Sequence, residues 1–398
     1  MEPFLPYGRQ VIGDDDVEAV AEALRSDMLT TGPRVEAFEA ALRDLTGAKH
    51  AIACATGTAA LHLAALGLKI GDGDQVIVPT ITFAATASSV RLCGGDVVFA
   101  DVDPDSGQTT PALIAEAVAR ADAARLKAVF PVDLRGSAID RGAVAKVTEG
   151  LPLVFDACHA LGGRDPAGVR VGGAERCLAE TFSFHPVKMI AMGEGGAVTT
   201  NDDAFAKKVR HFRNHGIERD PTRWRNADMA FDPQGDPNPW YYELHDPSVN
   251  YRVTDIQCAL GLSQLRKLDT FARARAAVRV VYDRLLPALA PVVTVPPSIP
   301  AAVLHLYAVN IDFEAVGKSR AQVMGELREL GVGTQVHYIP LHRQPYFAER
   351  HGAELLPGAD AYYARTLSIP FFAGMSEEDA LRAVSALSTV LGLPDPTR

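Results

Sequence analysis

Three groups of residues in this 398-residue chain have types and spacing suited to chemistry. In "TFSFHPVKMIAMGEGGAVTTND", Lys188 sits between a strand-like segment and the glycine turn "GEGG", which lets the chain turn away tightly. A lysine that forms Schiff bases must be partly desolvated and held on a defined backbone. Asp156 ends the apolar run "LPLVFDA", and in open α/β sheets ligands sit beyond the carboxyl ends of the strands. Taken alone, such an aspartate is as well explained as a cap or turn residue. In "CATGTAALHLA", a strand, Thr56-Gly57-Thr58 and a helix would place free N–H groups at a helix N-terminus, which binds phosphate. The glycine-lysine-Ser/Thr of a Walker loop is absent from this turn. Ser183, five residues before Lys188, lies where its hydroxyl can join the phosphate cup. Phe83 of "PTITFAATASS" can supply an aromatic face.

The combination is more specific than its parts. A phosphate cup, an acid at a strand end and a lysine in a constrained loop are what pyridoxal 5'-phosphate (PLP) requires. The acid keeps the pyridine nitrogen protonated, the lysine anchors the cofactor, and the helix N-terminus holds the phosphate.

Such residues need a scaffold, and the chain alternates helix-like and strand-like segments. "VEAVAEAL", "VEAFEAAL" and "TPALIAEAVARA" carry apolar residues at helical spacing, whereas "QVIVP", "DVVFADV", "KAVFPV" and "LPLVFDA" read as short buried strands. This rhythm predicts an α/β fold with a mostly parallel sheet covered on both faces. Residues 219–248 hold five prolines and the run "WYY", and predict a functional or interface loop. "TDIQCALGLSQLRKLDTFARARAAVRVVYDRLL" predicts a helix pair or one long bent helix. "HLYAVNIDF", "RAQVMGELREL" and "GTQVHYIPL" then suggest a smaller C-terminal α+β domain. The division placed here is 1–265 for the large domain and 266–398 for the linking helix and small domain.

Composition narrows the class. Hydrophobic residues make up 47% and charged residues 22%, as in ordinary globular proteins, and the net charge of −10 disfavours a nucleic-acid binder. No apolar run is long enough for a bilayer, so no membrane association is expected. The five cysteines are scattered, with no metal-like spacing, and the opening "MEPFLPYGRQ" lacks a signal-peptide pattern. A cytoplasmic protein without a metal site is the expectation.

The blocks "LTTGPRVEAFEAAL", "TGTAALHLAALGL", "FSFHPVK", "GEGGAVTTND" and "NYRVTDIQCALGLSQL" resemble, in order, those of the DegT/DnrJ/EryC1/StrS sugar aminotransferases. The resemblance implies a PLP-dependent transferase of fold type I, like aspartate aminotransferase, acting on nucleotide-linked keto sugars. "FLPYGRQ", "FHPVKMIAMGEGG", "PWYYEL" and "VHYIPLHRQPYF" are most similar to the branch that aminates C4 of a UDP-linked 4-keto-6-deoxy sugar in pseudaminic acid biosynthesis, with L-glutamate as donor. Other 3- or 4-keto nucleotide sugars are the alternative substrates, and a PLP-binding regulator without turnover is the alternative class. A 3-dehydratase of the same family would carry His in place of Lys188. By this resemblance Lys188 is the catalytic and cofactor-linked lysine, and Asp156 the partner of the pyridine nitrogen. His159 lies by the ring hydroxyl and Phe83 stacks on the ring, while Gly57, Thr58 and Ser183 hold the phosphate. Asn250 would reach that phosphate from a second subunit, making a homodimer the functional unit. His337, Tyr338 and His342 fall in the segment facing the sugar nucleotide, and Arg252 or Arg343 are candidates for its diphosphate. Two departures stand out: Thr56, where relatives carry Asn or Ser, and Arg135, a bulky charge expected beside the substrate wall.

Overall fold

The computed structural model describes residues 3–297 and 302–398. Seven short strands build the central sheet: β1 (His50–Cys54), β2 (Gln75–Pro79), β3 (Asp96–Ala100), β4 (Leu126–Val129), β5 (Val154–Asp156), β6 (Ala179–Ser183) and β7 (Gly196–Thr200). β2 pairs in parallel with β3 and β4, β5 with β6, and β7 runs antiparallel between β6 and β1. Parallel bridges Val129–Leu153 and Val132–Asp156 join the two halves, giving the order 3-2-4-5-6-7-1. The sheet is mixed and mostly parallel, and only β7 is reversed. Val76, Ile77 and Val78 are fully buried on successive positions, the mark of a strand covered on both faces.

α1 (Asp14–Leu24) packs on the later helix Asp255–Leu265, and further helices flank the sheet: α2 (Pro33–Thr46), α3 (Gly57–Gly67), α4 (Ala84–Leu92), α5 (Pro111–Arg120), α6 (Arg141–Val147) and α7 (Asp203–Arg213). Their starts follow local chemistry. Thr110 caps α5 before Pro111 at the first helical position, and Asp202 caps α7 through the Phe205 N–H at 2.7 Å. α3 feeds directly from β1 and packs on β6 and β7, so its first turn lies over the ends of both strands.

The long helical segment resolves into a pair, Asp255–Leu265 and Leu268–Leu285. Lys267 lies between them and reaches Asp15 and Asp16 of α1 at 2.8 and 2.6 Å, fixing the break against the N-terminal helix. The second helix runs into a separate core cluster with Val278, Val281 and Tyr282, which also takes in the antiparallel strands Val293–Thr294, Tyr307–Ile311 and Thr366–Ile369. Helices Arg320–Glu329 and Glu377–Leu391 cover it.

Residues 219–248 form an arm whose ends meet in a two-residue ladder, Ile217–Glu218 with Glu243–Leu244. Glu243 organises it, accepting from the Arg225 and Asn226 N–H groups, the Tyr241 hydroxyl and His245. Trp240, Tyr242 and Leu244 remain exposed on its outside.

Candidate active site

One cavity of about 690 Å³ opens at the carboxyl ends of the strands, walled by residues of β5, β6, α3, α4 and the C-terminal segment 335–344. Thr56, Gly57, Thr58, Phe83, Asp156, His159, Ser183, Lys188, His337 and Tyr338 all line it. Residues as far apart in sequence as Tyr7 and Gln344 thus line one cavity.

The cup at the start of α3 is made by close approach. Thr56 caps the helix, its hydroxyl accepting the Ala59 N–H at 3.0 Å, and the N–H groups of Gly57 and Thr58 have no partner within the helix. A Cβ on Gly57 would lie 2.6 Å from Ser183 Cβ, so glycine lets the helix N-terminus sit against β6. On the other side, a Cβ on Gly196 would run into the Thr56 carbonyl. N–H donors, two hydroxyls and the positive end of a helix suit a phosphate.

Asp156 is buried at the end of β5, with Oδ2 accepting from the Thr86 hydroxyl at 2.8 Å and Oδ1 from the Cys158 N–H at 3.2 Å. Lys188 follows a tight turn closed by its own N–H to the His185 carbonyl at 2.8 Å. Its carbonyl accepts from Arg275 Nη2 at 3.3 Å, a guanidinium on helix Leu268–Leu285 whose buried position lowers it to about 10. Burial holds the Lys188 amine below the ordinary lysine value, while the nearby Asp156 carboxylate pulls the other way. An amine that sheds its proton more readily is present more often in the free form that can attack a carbonyl or take up a proton.

His159 is fixed in one tautomer. Its Nδ1 accepts the Arg135 N–H at 3.2 Å, so the proton of the neutral ring is on Nε2, which faces the Tyr338 hydroxyl at 3.3 Å. Burial, then the charge of Lys188, hold this ring well below the usual histidine value. His337 is pushed down to about 3 by burial and by Lys188, and its Nδ1 pairs with Ser368 Oγ at 2.8 Å. His305, which sequence reasoning missed, packs tilted against His159, with centroids 4.6 Å apart and ring planes at 46°, and also lines the cavity.

Phe83 is 59% exposed, presenting its ring to the cavity. It occupies the N-cap of α4, a position that favours Ser, Thr, Asp or Asn, and makes no side-chain cap. The local rule for helix starts yields here to an aromatic wall.

Two expected residues lie elsewhere. His342 is not on the cavity wall: it is buried behind it, its Nδ1 2.8 Å from Thr80 Oγ1 and its Nε2 3.5 Å from Asp360. Its packing role is to tie segment 335–344 to the end of β2. Asn250 is exposed and off the cavity, paired by backbone with Asn214. Arg135 corrects the expectation of a charge on the substrate wall. Its side chain is buried away from the cavity among Tyr362, Tyr307 and Asp103, and only its backbone reaches the site. Arg343 is paired with Asp360 at 2.6 Å, and Arg252 with Asn214. Besides His305, the sequence reading passed over Tyr7, Thr82, Thr86 and Cys158. The hydroxyl-rich run "PTITFAATASS" was the one available signal for the threonines.

The cup, the strand-end acid and the low-pKa lysine fit PLP. Fold and site together define a PLP-dependent aminotransferase of fold type I. The chain belongs to the DegT/DnrJ/EryC1/StrS aminotransferase family, which residues 10–388 match. Among solved structures it is similar to Helicobacter pylori PseC, an aminotransferase involved in the biosynthesis of pseudoaminic acid. The two share 28% identity over 98% of this chain and 99% of that one, with a TM-score of 0.85. DesV from S. venezuelae is 28% identical over 99% of this chain and 100% of that one, with a TM-score of 0.82. The sugar aminotransferase Spr1654 from Streptococcus pneumoniae, solved in its PMP form, is 25% identical over 98% and 99%, with a TM-score of 0.84. The chain is therefore a sugar aminotransferase that depends on PLP. Among the described residues no helix is long and apolar enough to cross a membrane.

Proposed function

We propose that this enzyme transfers the amino group of L-glutamate to C4 of UDP-2-acetamido-2,6-dideoxy-β-L-arabino-hex-4-ulose, the 4-keto sugar of pseudaminic acid biosynthesis. The observation that carries the aminotransfer is the convergence of Lys188, Asp156 and the α3 cup on one cavity. Similarity to PseC over nearly the whole of both chains supports the choice of sugar.

When bound, PLP supplies an electron sink for the carbon that loses or gains a proton. The residues of the chain do the rest. Gly57 and Thr58 N–H groups and the Ser183 hydroxyl hold the phosphate, and Asp156 keeps a proton on the ring nitrogen. Phe83 packs on the ring face. The His159 Nε2–H is available to the ring hydroxyl. Lys188 would serve twice: its amine would anchor the cofactor covalently, and as a free amine its nitrogen would take the proton from the donor's α-carbon. In the second half-reaction the same nitrogen gives a proton to the sugar's C4. Glutamate leaves as 2-oxoglutarate, and the keto sugar leaves as an amino sugar. His337 and Tyr338 face the substrate side.

Within one chain Asn250 stands off the cavity, so its role at the phosphate requires a second copy, and the reading includes a homodimer working in the cytoplasm. The division into a large unit to residue 265 and a small one beyond belongs to the same reading.

An absorbance spectrum of the protein loaded with PLP, taken before and after adding L-glutamate without sugar, tests the first half-reaction. A lysine-linked band near the visible edge should give way to a pyridoxamine band. Persistence of the first band with glutamate would overturn the donor. Lys188→Arg should keep the far-UV circular dichroism of the parent and lose turnover, and a variant that still turned over would defeat the assignment of Lys188. Turnover of other 4-keto sugars in preference to the UDP-linked one would overturn the choice of sugar alone.

A further inference from the structure

Two threonine hydroxyls stand behind Asp156. Thr82 and Thr86 are 1% and 0% exposed, so their hydroxyls must find partners inside the protein. Both flank the start of α4, whose N-cap residue Phe83 makes no side-chain cap. A threonine in this place ordinarily turns its oxygen to the free N–H groups of the helix. Neither does. Thr82 Oγ1 lies 2.9 Å from Thr86 Oγ1, and Thr86 Oγ1 lies 2.8 Å from Oδ2 of Asp156, 70 residues away in sequence.

The direction of these bonds follows from the groups. An ionised carboxylate only accepts, so Thr86 donates to Asp156, and its oxygen is then the acceptor for the Thr82 proton. The Cys158 N–H donates to the other oxygen, Oδ1, at 3.2 Å. Each oxygen of Asp156 thus has one donor of its own, which fixes the rotation of the carboxylate about its Cβ–Cγ bond. A donor aimed at a carboxylate favours its charged form, and a second hydroxyl polarising the first strengthens the effect.

We infer that Thr86 is a positioning residue, with Thr82 behind it, and that this hydroxyl chain aims and stabilises the Asp156 carboxylate toward the ring nitrogen of the bound cofactor. The inference rests on the reading of Asp156 as that nitrogen's partner. A cap or a packing role for these threonines predicts effects on stability alone. A positioning role predicts an effect on the cofactor that a hydroxyl of either kind rescues.

The experiment titrates PLP into cofactor-free wild type, Thr86→Val, Thr86→Ser, Thr82→Val and Asp156→Asn, with thermal unfolding of each recorded without PLP. Thr86→Val keeps the shape and removes the donor, and loss of one charge-assisted bond predicts roughly tenfold weaker PLP binding or more. The absorbance bands of its bound cofactor should shift in the same sense as those of Asp156→Asn. Thr86→Ser should restore both, and Thr82→Val should show a smaller loss in the same direction. Wild-type affinity and an unshifted spectrum in Thr86→Val, beside a clear defect in Asp156→Asn, would overturn the inference and leave the role of Asp156 standing. If Thr86→Val does not fold, Thr82→Val decides, and its behaving as wild type would overturn the chain. PLP binding by wild type no tighter than by Asp156→Asn would instead overturn the reading of Asp156, and the inference with it.

Discussion

Alanine in place of Gly57 tests the construction of the phosphate cup with a perturbation of one carbon. Two effects oppose each other. Gly57 is the first residue of α3, and replacing a helical glycine by alanine ordinarily gains about 0.5–1 kcal/mol. Against this, the new Cβ would stand 2.6 Å from Ser183 Cβ, 3.0 Å from its Oγ and 3.2 Å from its Cα, where ordinary contact begins at 3.4 Å. Ser183 is on a central strand, paired with Gly196 of β7, so the helix end must withdraw instead. Overpacking of this kind costs about 1–3 kcal/mol, which outweighs the propensity gain. The withdrawal also carries the Gly57 and Thr58 N–H groups away from the phosphate. Losing the better part of one charge-assisted hydrogen bond weakens binding by roughly tenfold to a hundredfold. Thermal unfolding without PLP reads the first quantity and a PLP titration the second. A Gly57→Ala protein with a raised melting temperature and unchanged PLP affinity would refute the close-packed cup.

Other outcomes follow from the same structure. Gly325, inside helix Arg320–Glu329 with nothing within 4 Å of its missing Cβ, should accept alanine with a gain of about 0.5–1 kcal/mol in urea unfolding and no change in PLP affinity. Arg141 is fully buried, with Nη2 2.6 Å from both Asp133 and Glu180. Arg141→Met should therefore cost about 3–5 kcal/mol by thermal or urea unfolding, because it strands two buried carboxylates. Desolvation pushes the Glu243 carboxyl up, but the donors from Asn226, His245, Arg225 and Tyr241 outweigh it and hold it down at about 2. Its contribution to the arm is complete above its unfolded value of 4.5 and is lost as pH falls toward about 2. Pepsin should cut residues 219–248 faster across that window, and Glu243→Gln should show fast cutting at the upper end of it. Equal rates throughout would remove Glu243 as the organiser of the arm.

The strands were legible where burial on both faces left an apolar run between Gly and Pro, as in "QVIVP" and "LPLVFDA". β7 is a strand with no long apolar run: "GAVTT" is buried throughout because its threonines find partners, such as Thr200 Oγ1 on the Leu178 carbonyl at 2.6 Å. "GTQVHYIPL" looked like a strand of the small domain, yet only Gln335 makes a bridge, to Ser368. The rest is drawn out of register by its contacts with the cavity and with Thr80. At the site, residues whose reactive groups line the cavity carry their chemistry in their type, so Lys188, Asp156 and Ser183 could be singled out in one dimension. His342 could not be told from them, because an imidazole facing a cavity and one facing Thr80 look alike in sequence. Thr86 and His305 were passed over because their significance lies in what they face, which only the packed fold determines.

Arg135 shows where sequence variation and function can part company. Its backbone takes the left-handed conformation, φ 62°, and from there the peptide N–H reaches His159. The side chain itself points into the protein. Every amino acid except proline could supply that N–H, and glycine would do so with the least backbone strain. A search for sugar selectivity that follows the unusual side chain would be looking on the wrong side of the peptide. What position 135 contributes to the cavity is a direction of the main chain, which no tabulation of residue types records.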